Sequence, residues 1–165
     1  MVWTNAPLVV YHGTDENSAG NILRSGVNLA ACAPGSDFGH GFYVTSSLKF
    51  AQSWADQKVV RSTARAAVLT FRLDRDLAAE LDDHLTFVLA SDEFFDFVSY
   101  NRGGGTNHAR SAGTPYDLVY GPISAYPFRL VYVDCDQICF LNQRALGSLI
   151  GPTGNPSYGD PRFLS

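Results

Sequence analysis

Two short stretches hold the side chains best suited to chemistry. The first is His12-Gly13-Thr14, at the end of the apolar run Leu8-Val9-Val10-Tyr11. The second is Phe38-Gly39-His40-Gly41-Phe42-Tyr43-Val44-Thr45, where two glycines permit a sharp turn or the close approach of a ligand. Standing alone, a histidine at a strand end reads as structural, and Tyr43 reads as half-buried sheet packing. Late in the chain, Asp134, Asp136 and Gln137 border an apolar strand. His108 and Arg110 are of types that hold phosphate or substrate, but the glycine-rich stretch 103–115 around them reads as a solvated, mobile loop. Cys32, Cys135 and Cys139 lack metal-ligand spacing and read as buried free thiols, so no metal is expected.

These groups need elements to carry them. Residues 7–12 read as a strand, and 15–25 as a helix with Ile22 and Leu23 inward and Gly26 as its stop. Residues 42–45, aromatic and β-branched, form a strand. A helix follows over 48–57, with Ser46 or Ser47 as cap and Phe50, Ala51, Trp54 and Ala55 on its buried face. Strand character returns at 66–73, and 74–81 is weakly helical. A strand or a helix lead-in covers 86–90. Ser91 caps a helix whose Phe94, Phe97 and Val98 form a core stripe, running to Asn101-Arg102. Residues 117–122 make a strand stopped by Gly121-Pro122. Two further strands cover 128–133 and 137–141, with a turn or bulge at Asp134-Cys135-Asp136. In the latter strand Gln137 alternates with Cys139 and Leu141 on one face. A short helix or turn covers 143–149.

The chain has 165 residues with 45% apolar and 17% charged content, which favours one folded domain. Its boundaries are set at 1–165, with a core over about 7–149 and an irregular tail over 150–165. The formal charge of −4 and the absence of any basic run disfavour a nucleic-acid partner. No apolar stretch is long enough for a membrane span, and no ordinary secretory signal is visible. The cytoplasm is the default reading, compatible also with export by a route that leaves no such signal.

Phe-Gly-x-Gly-Phe-Tyr-x-Thr followed by a helix resembles the second motif of PARP-like ADP-ribosyltransferases, the His-Tyr-Glu branch that includes diphtheria toxin. Val9-Val10-Tyr11-His12-Gly13-Thr14 is similar to that branch's first motif and lies about thirty residues upstream, in the expected order. The resemblance implies an α+β, ADP-ribosyltransferase-like fold of two packed, mainly antiparallel sheets with peripheral helices. It implies NAD as substrate. His12 would bond the adenine-side ribose, the main chain of Gly13 would pair with the nicotinamide amide, and Tyr43 would stack on the nicotinamide ring. Thr14 would support the amide, and Gly39, Gly41 and Phe50 complete the cofactor-binding set. The catalytic set is Gln137, Tyr43 and His12.

The third motif departs from that branch. Its Glu, which grips the 2′-hydroxyl of the nicotinamide-side ribose, corresponds by order to Gln137, or to Asp136 if the register shifts by one. A glutamine accepts a hydrogen bond without a full charge. Asn101-Arg102, the run from Asp117 to Pro122 and the late Gln also resemble a small, largely uncharacterised family of PARP-like domains. Arg102 and Asp117 are therefore either site groups or a buried ion pair. The implied activity is NAD-dependent mono-ADP-ribosyl transfer, more in keeping with a protein acceptor than with nucleic acid. A toxin or effector role, with an antitoxin or immunity partner, accompanies that reading. NAD glycohydrolysis and a non-catalytic NAD or ADP-ribose module are the alternatives. Transfer of an RNA 2′-phosphate on the same fold is disfavoured for want of a basic patch.

Overall fold

A computed structural model of the chain describes residues 3–153. In chain order the elements are β1 (Leu8–Asp15), α1 (Glu16–Ser25), β2 (Phe42–Val44), α2 (Leu48–Val59), β3 (Ala66–Leu73) and α3 (Arg75–Ala79). They continue with β4 (His84–Thr86), α4 (Asp92–Arg102), β5 (Leu118–Ser124), β6 (Val131–Phe140), α5 (Gln143–Leu146) and β7 (Leu149–Ile150). The architecture is α+β. One sheet runs β1-β3-β7 and the other β2-β6-β5-β4, all antiparallel except the β4–β5 pair. Tyr11 and Thr45 exchange two backbone bonds of 2.8 and 2.9 Å, which join β1 to the end of β2.

Alternation along the strands builds the core between the sheets. Val10, Leu69, Phe71 and Leu73 come from one sheet, and Phe42, Val44, Ile138 and Phe140 from the other. On the far side of β6, Cys139 joins Phe38, Val119 and the Phe94 and Val98 stripe of α4. Helix α2 lays Ala51, Ala55 and Val59 on Ala66 and Val68 of β3. Small residues suit that face because the backbones approach closely. Trp54, expected inward, is instead 45% exposed, as is Leu23 at 43%. Side-chain caps start the helices: Asp15 for α1, Ser47 for α2, Asp74 for α3, Ser91 for α4 and Asn142 for α5.

Several sequence expectations change. The strands expected at 128–133 and 137–141 merge into β6, within which Asp134 takes a left-handed φ of 57°. An aspartate tolerates that conformation better than most residues, so the strand bends there and continues. Strand β5 runs through Gly121-Pro122 to Ser124. Pro122 lies past the last β4 pairing, Thr86 with Tyr120, so its missing N–H costs no ladder bond on that side. Of the thiols only Cys139 is buried; Cys32 and Cys135 are partly exposed. Ile150, where the expected tail begins, pairs with β3 as the second residue of β7, and Leu149 of the expected helix or turn is the first; residues 154–165 lie outside the described residues. No described helix is long and apolar enough to cross a membrane.

Candidate functional site

From the Tyr11–Thr45 pair, β1 runs on through His12 and Gly13 alongside Val44 and Tyr43. Across that seam His12 Nδ1 lies 2.7 Å from the backbone carbonyl of Tyr43. A carbonyl only accepts, so Nδ1 carries the proton and Nε2 is left as a lone-pair acceptor. Nε2 has no hydrogen-bond partner among the described residues. Burial pushes the His12 pKa down to about 4, against the opposing pull of the Tyr43 carbonyl. The imidazole is therefore neutral across the physiological range. Its ring rests on Phe42 at 4.3 Å.

Tyr11 commits both its N–H and its C=O to Thr45. Strand alternation then turns the peptide groups of Gly13 to the same edge, away from β3 and toward Tyr43. A Cβ on Gly13 would lie 2.1 Å from the Ala51 carbonyl oxygen, so the glycine is also required by the packing of α2. Thr14 is 2% exposed on the next residue of β1.

The Tyr43 hydroxyl donates to the Gly39 carbonyl at 2.7 Å and accepts from the Phe38 N–H at 2.9 Å. Burial beside Cys139 pushes its pKa well up. The hydroxyl is committed to the turn, which leaves the ring face as the part of Tyr43 able to meet a ligand. Gly39 has a φ of 90°, and a Cβ there would point at His108 and Asn101. One on Gly41 would lie 2.5 Å from Cys139 Sγ. Both glycines thus serve internal packing as well as the turn. Phe50 belongs to an aromatic group on the outer side of α2, stacked with Trp54 and 5.7 Å from Tyr132.

Gln137 is 7% exposed, on the same face of β6 as Cys139, the cross-strand partner of Tyr43. Its Nε2 donates to Asp37 Oδ2 at 2.7 Å and to the Pro122 carbonyl at 2.9 Å. Two pure acceptors fix the amide's orientation, so Oε1 is the free end. Asp37, 3% exposed, also binds Arg102 through Oδ1 at 2.6 and 2.8 Å and accepts the Ser124 N–H at 2.9 Å. The ion pair offered for Arg102 and Asp117 is thus redrawn. Arg102 pairs with Asp37, while Asp117 accepts from Asn142 at the other end of β5.

Asp136 points to the opposite face of β6, where it accepts from Ser46 N–H and Oγ, Thr45 and Tyr120. It also borders an open cavity of about 370 Å³ floored by Leu8, Leu73, Leu118 and Ile138. That cavity holds none of His12, Tyr43 and Gln137. Its apolar floor and already bonded carboxylate make it the weaker candidate, and the polar seam the stronger.

The stretch 103–115, expected to be solvated and mobile, is tied down. Asn107, His108 and Ala109 take left-handed φ values of 55, 54 and 56° in succession, at a cost of about 1–2 kcal/mol each. The turn buries His108, whose Nε2–H donates to the Phe38 carbonyl at 2.8 Å and whose Nδ1 accepts from the Tyr116 N–H at 3.1 Å. Burial lowers its pKa. Arg110, considered for phosphate, pairs with Asp83 at 2.6 Å and lies over the Tyr116 ring.

Asp37, Asn101 and His108 anchor the turn beneath Gln137; sequence reasoning gave Asp37 no role, and it marked Asn101 by resemblance and His108 as a loop group without seeing that anchoring. The signal available was an acid opening the Phe-Gly-x-Gly-Phe-Tyr stretch. Among the described residues, no cluster of His, Cys, Asp and Glu could hold a metal. A family model described as a protein of unknown function (DUF3990) matches residues 8–127. No curated protein matches the chain. The matched span takes in His12, Asp37, Tyr43 and Arg102 and ends before Gln137.

Proposed function

Because the chain belongs to the DUF3990 family, whose description assigns no activity, we propose from its site that it is an NAD-dependent mono-ADP-ribosyltransferase with an ADP-ribosyltransferase-like fold. The observation that carries this reading is the 2.7 Å bond from His12 Nδ1 to the Tyr43 carbonyl, which sets the two motifs side by side at one seam. Near that seam lie the acceptor Nε2 of His12, the outward peptide of Gly13, the ring of Tyr43 and, on β6, the Oε1 of Gln137.

NAD meets those groups in the order that the motif resemblance assigns. His12 Nε2 accepts from a hydroxyl of the adenine-side ribose. The N–H and C=O of Gly13 match the C=O and N–H₂ of a carboxamide. Tyr43 offers its ring to the nicotinamide, and Gln137 Oε1 accepts from the 2′-hydroxyl of the nicotinamide-side ribose. The glycosidic C–N bond then breaks, its electron pair passing to the ring nitrogen and neutralising the pyridinium. The ribose carbon is left as an oxocarbenium ion, to which an acceptor nucleophile donates a pair and from which that acceptor's proton passes to solvent. Every contact here aims at orientation, and binding in the reactive geometry supplies the rate. A neutral amide at 137 steadies the cation less than a carboxylate would, so slow transfer without polymer extension is expected.

The test is labelled NAD with wild type, Tyr43→Phe, Tyr43→Leu and His12→Ala. Wild type should release nicotinamide and pass the label to macromolecule. Tyr43→Phe keeps the ring and should keep NAD affinity, whereas Tyr43→Leu should weaken it by about 1–3 kcal/mol. Unchanged affinity in folded Tyr43→Leu and His12→Ala proteins overturns the reading. Free ADP-ribose without transfer would mark a glycohydrolase, and binding without either product a binding module.

A further inference from the structure

The amide of Gln137 faces a buried carboxylate, and that fact bears on why a glutamine stands there at all. Asp37 Oδ2 takes one of the two Nε2 hydrogens at 2.7 Å, and the Pro122 carbonyl takes the other at 2.9 Å. Each contact demands a donor at residue 137. A glutamate there would set a carboxylate oxygen against Asp37 and against a carbonyl, both without a proton to share. Asp37 is itself held from the other side by Arg102 and by the Ser124 N–H. The chain from guanidinium to carboxylate to amide thus ends on Oε1, the one atom of the series that no described residue occupies.

We propose that Asp37 is a positioning residue for the reaction proposed above. It locks the amide of Gln137 so that Oε1 faces the substrate ribose, and it polarises that oxygen with a negative charge held one hydrogen bond behind. The inference rests on the transferase reading for its catalytic half, and on the hydrogen-bond geometry alone for its structural half. The negative charge that an acid at 137 would carry is here moved back to Asp37, where Arg102 stabilises it. Hydrogen bonds polarise one another along such a chain, so the amide oxygen becomes a better acceptor than in an isolated glutamine. Asp37→Asn removes the charge and offers a donor where Gln137 needs an acceptor, which leaves the Pro122 carbonyl alone to orient the amide and loosens its hold.

The experiment is a cycle of Asp37→Asn, Gln137→Glu and the double variant, read by nicotinamide release and by thermal unfolding. Asp37→Asn should lower kcat at least about tenfold with KM for NAD nearly unchanged, the size of a lost charge-assisted hydrogen bond. Gln137→Glu should lose activity and unfold at a lower temperature than wild type. The double variant restores the donor–acceptor match between residues 37 and 137 with the same total charge, leaves the Pro122 carbonyl unmatched, and should regain part of both unfolding temperature and turnover relative to Gln137→Glu. A Gln137→Glu protein as stable and as active as wild type overturns the proposal, as does a double variant no better than Gln137→Glu. If wild type releases no nicotinamide, the transferase reading and the catalytic half fall together. The unfolding temperatures then decide separately whether Asp37 dictates the glutamine.

Discussion

Asp37 and Asp136 sit against opposite faces of β6; the first accepts three hydrogen bonds, one of them within an ion pair to Arg102, and the second accepts four. Their donors differ in kind. Asp37 is 3% exposed and is held by a guanidinium, a backbone N–H and an amide that reaches toward the seam. Asp136 is partly exposed and is held by two serine groups, a threonine and a tyrosine, which tie β6 to the lead-in of α2. The first arrangement places an anion where its field acts on a candidate reacting group. The second secures a strand to a helix start. An acid one residue from a candidate site residue can thus be structural, while the acid a hundred positions away in sequence is the one bonded to that residue.

The largest effect should come from removing each carboxylate. Asp37→Ala leaves Arg102, Ser124 and Gln137 without their acceptor in a buried setting, and should cost about 3–5 kcal/mol in urea unfolding. Asp136→Ala opens onto solvent and should cost about 1–2 kcal/mol. Equal losses would erase the distinction between the two faces.

A Cβ at Gly41 sharpens the comparison. Gly41→Ala would press on Cys139 Sγ at 2.5 Å and on the Phe140 carbonyl at 2.7 Å, on the Gln137 side of β6. A loss of about 3 kcal/mol is expected, the upper range for overpacking. Hydrogen exchange should quicken in the turn over 37–41 more than at the start of α2. A uniform response would show that the two faces do not act separately.

The acid response is smaller than the loss of Asp37 or the strain at Gly41. His12 has its ordinary 6.5 in the unfolded chain and about 4 in the fold. The unfolded state therefore takes up the proton first. The stability this imidazole contributes is complete above pH 6.5 and drains away as pH falls toward 4, by roughly 2 kcal/mol at pH 5. His108 shifts in the same direction and adds to the loss. Unfolding midpoints at pH 7.5 and 5 should lie closer together in His12→Ala than in wild type. An unchanged gap would mean that the imidazole is not held neutral.

The strands and helices that obey a period were legible in the sequence, because β1, β2, β3, α2 and α4 each bury one face on the others. The seam residues were legible through two motifs in order, since His12 and Tyr43 lie on those strands. Asp37 was legible as the acid opening the second motif, but its role was not. It precedes β2 in a stretch without period, and its partners Arg102, Ser124 and Gln137 come from three distant elements. Nor was the ordered path of 103–115. Glycine and polar content signals a loop but carries no sign of a left-handed turn that includes Ala109, which contacts with the turn before β2, with Tyr116 and with Asp83 hold in place. Local spacing reports burial on one's own element, and these contacts are made across elements.

For anyone wishing to graft a tag or a reporter into this chain, the run of three left-handed residues reverses the obvious choice. By composition 103–115 looks like spare surface, open to lengthening or trimming. Through His108 it is the strut under the Phe38 carbonyl, so a splice there would pull on the turn that presents Gln137. The exposed corner at Val60, Arg61, Ser62 and Thr63, between α2 and β3, is the place to cut.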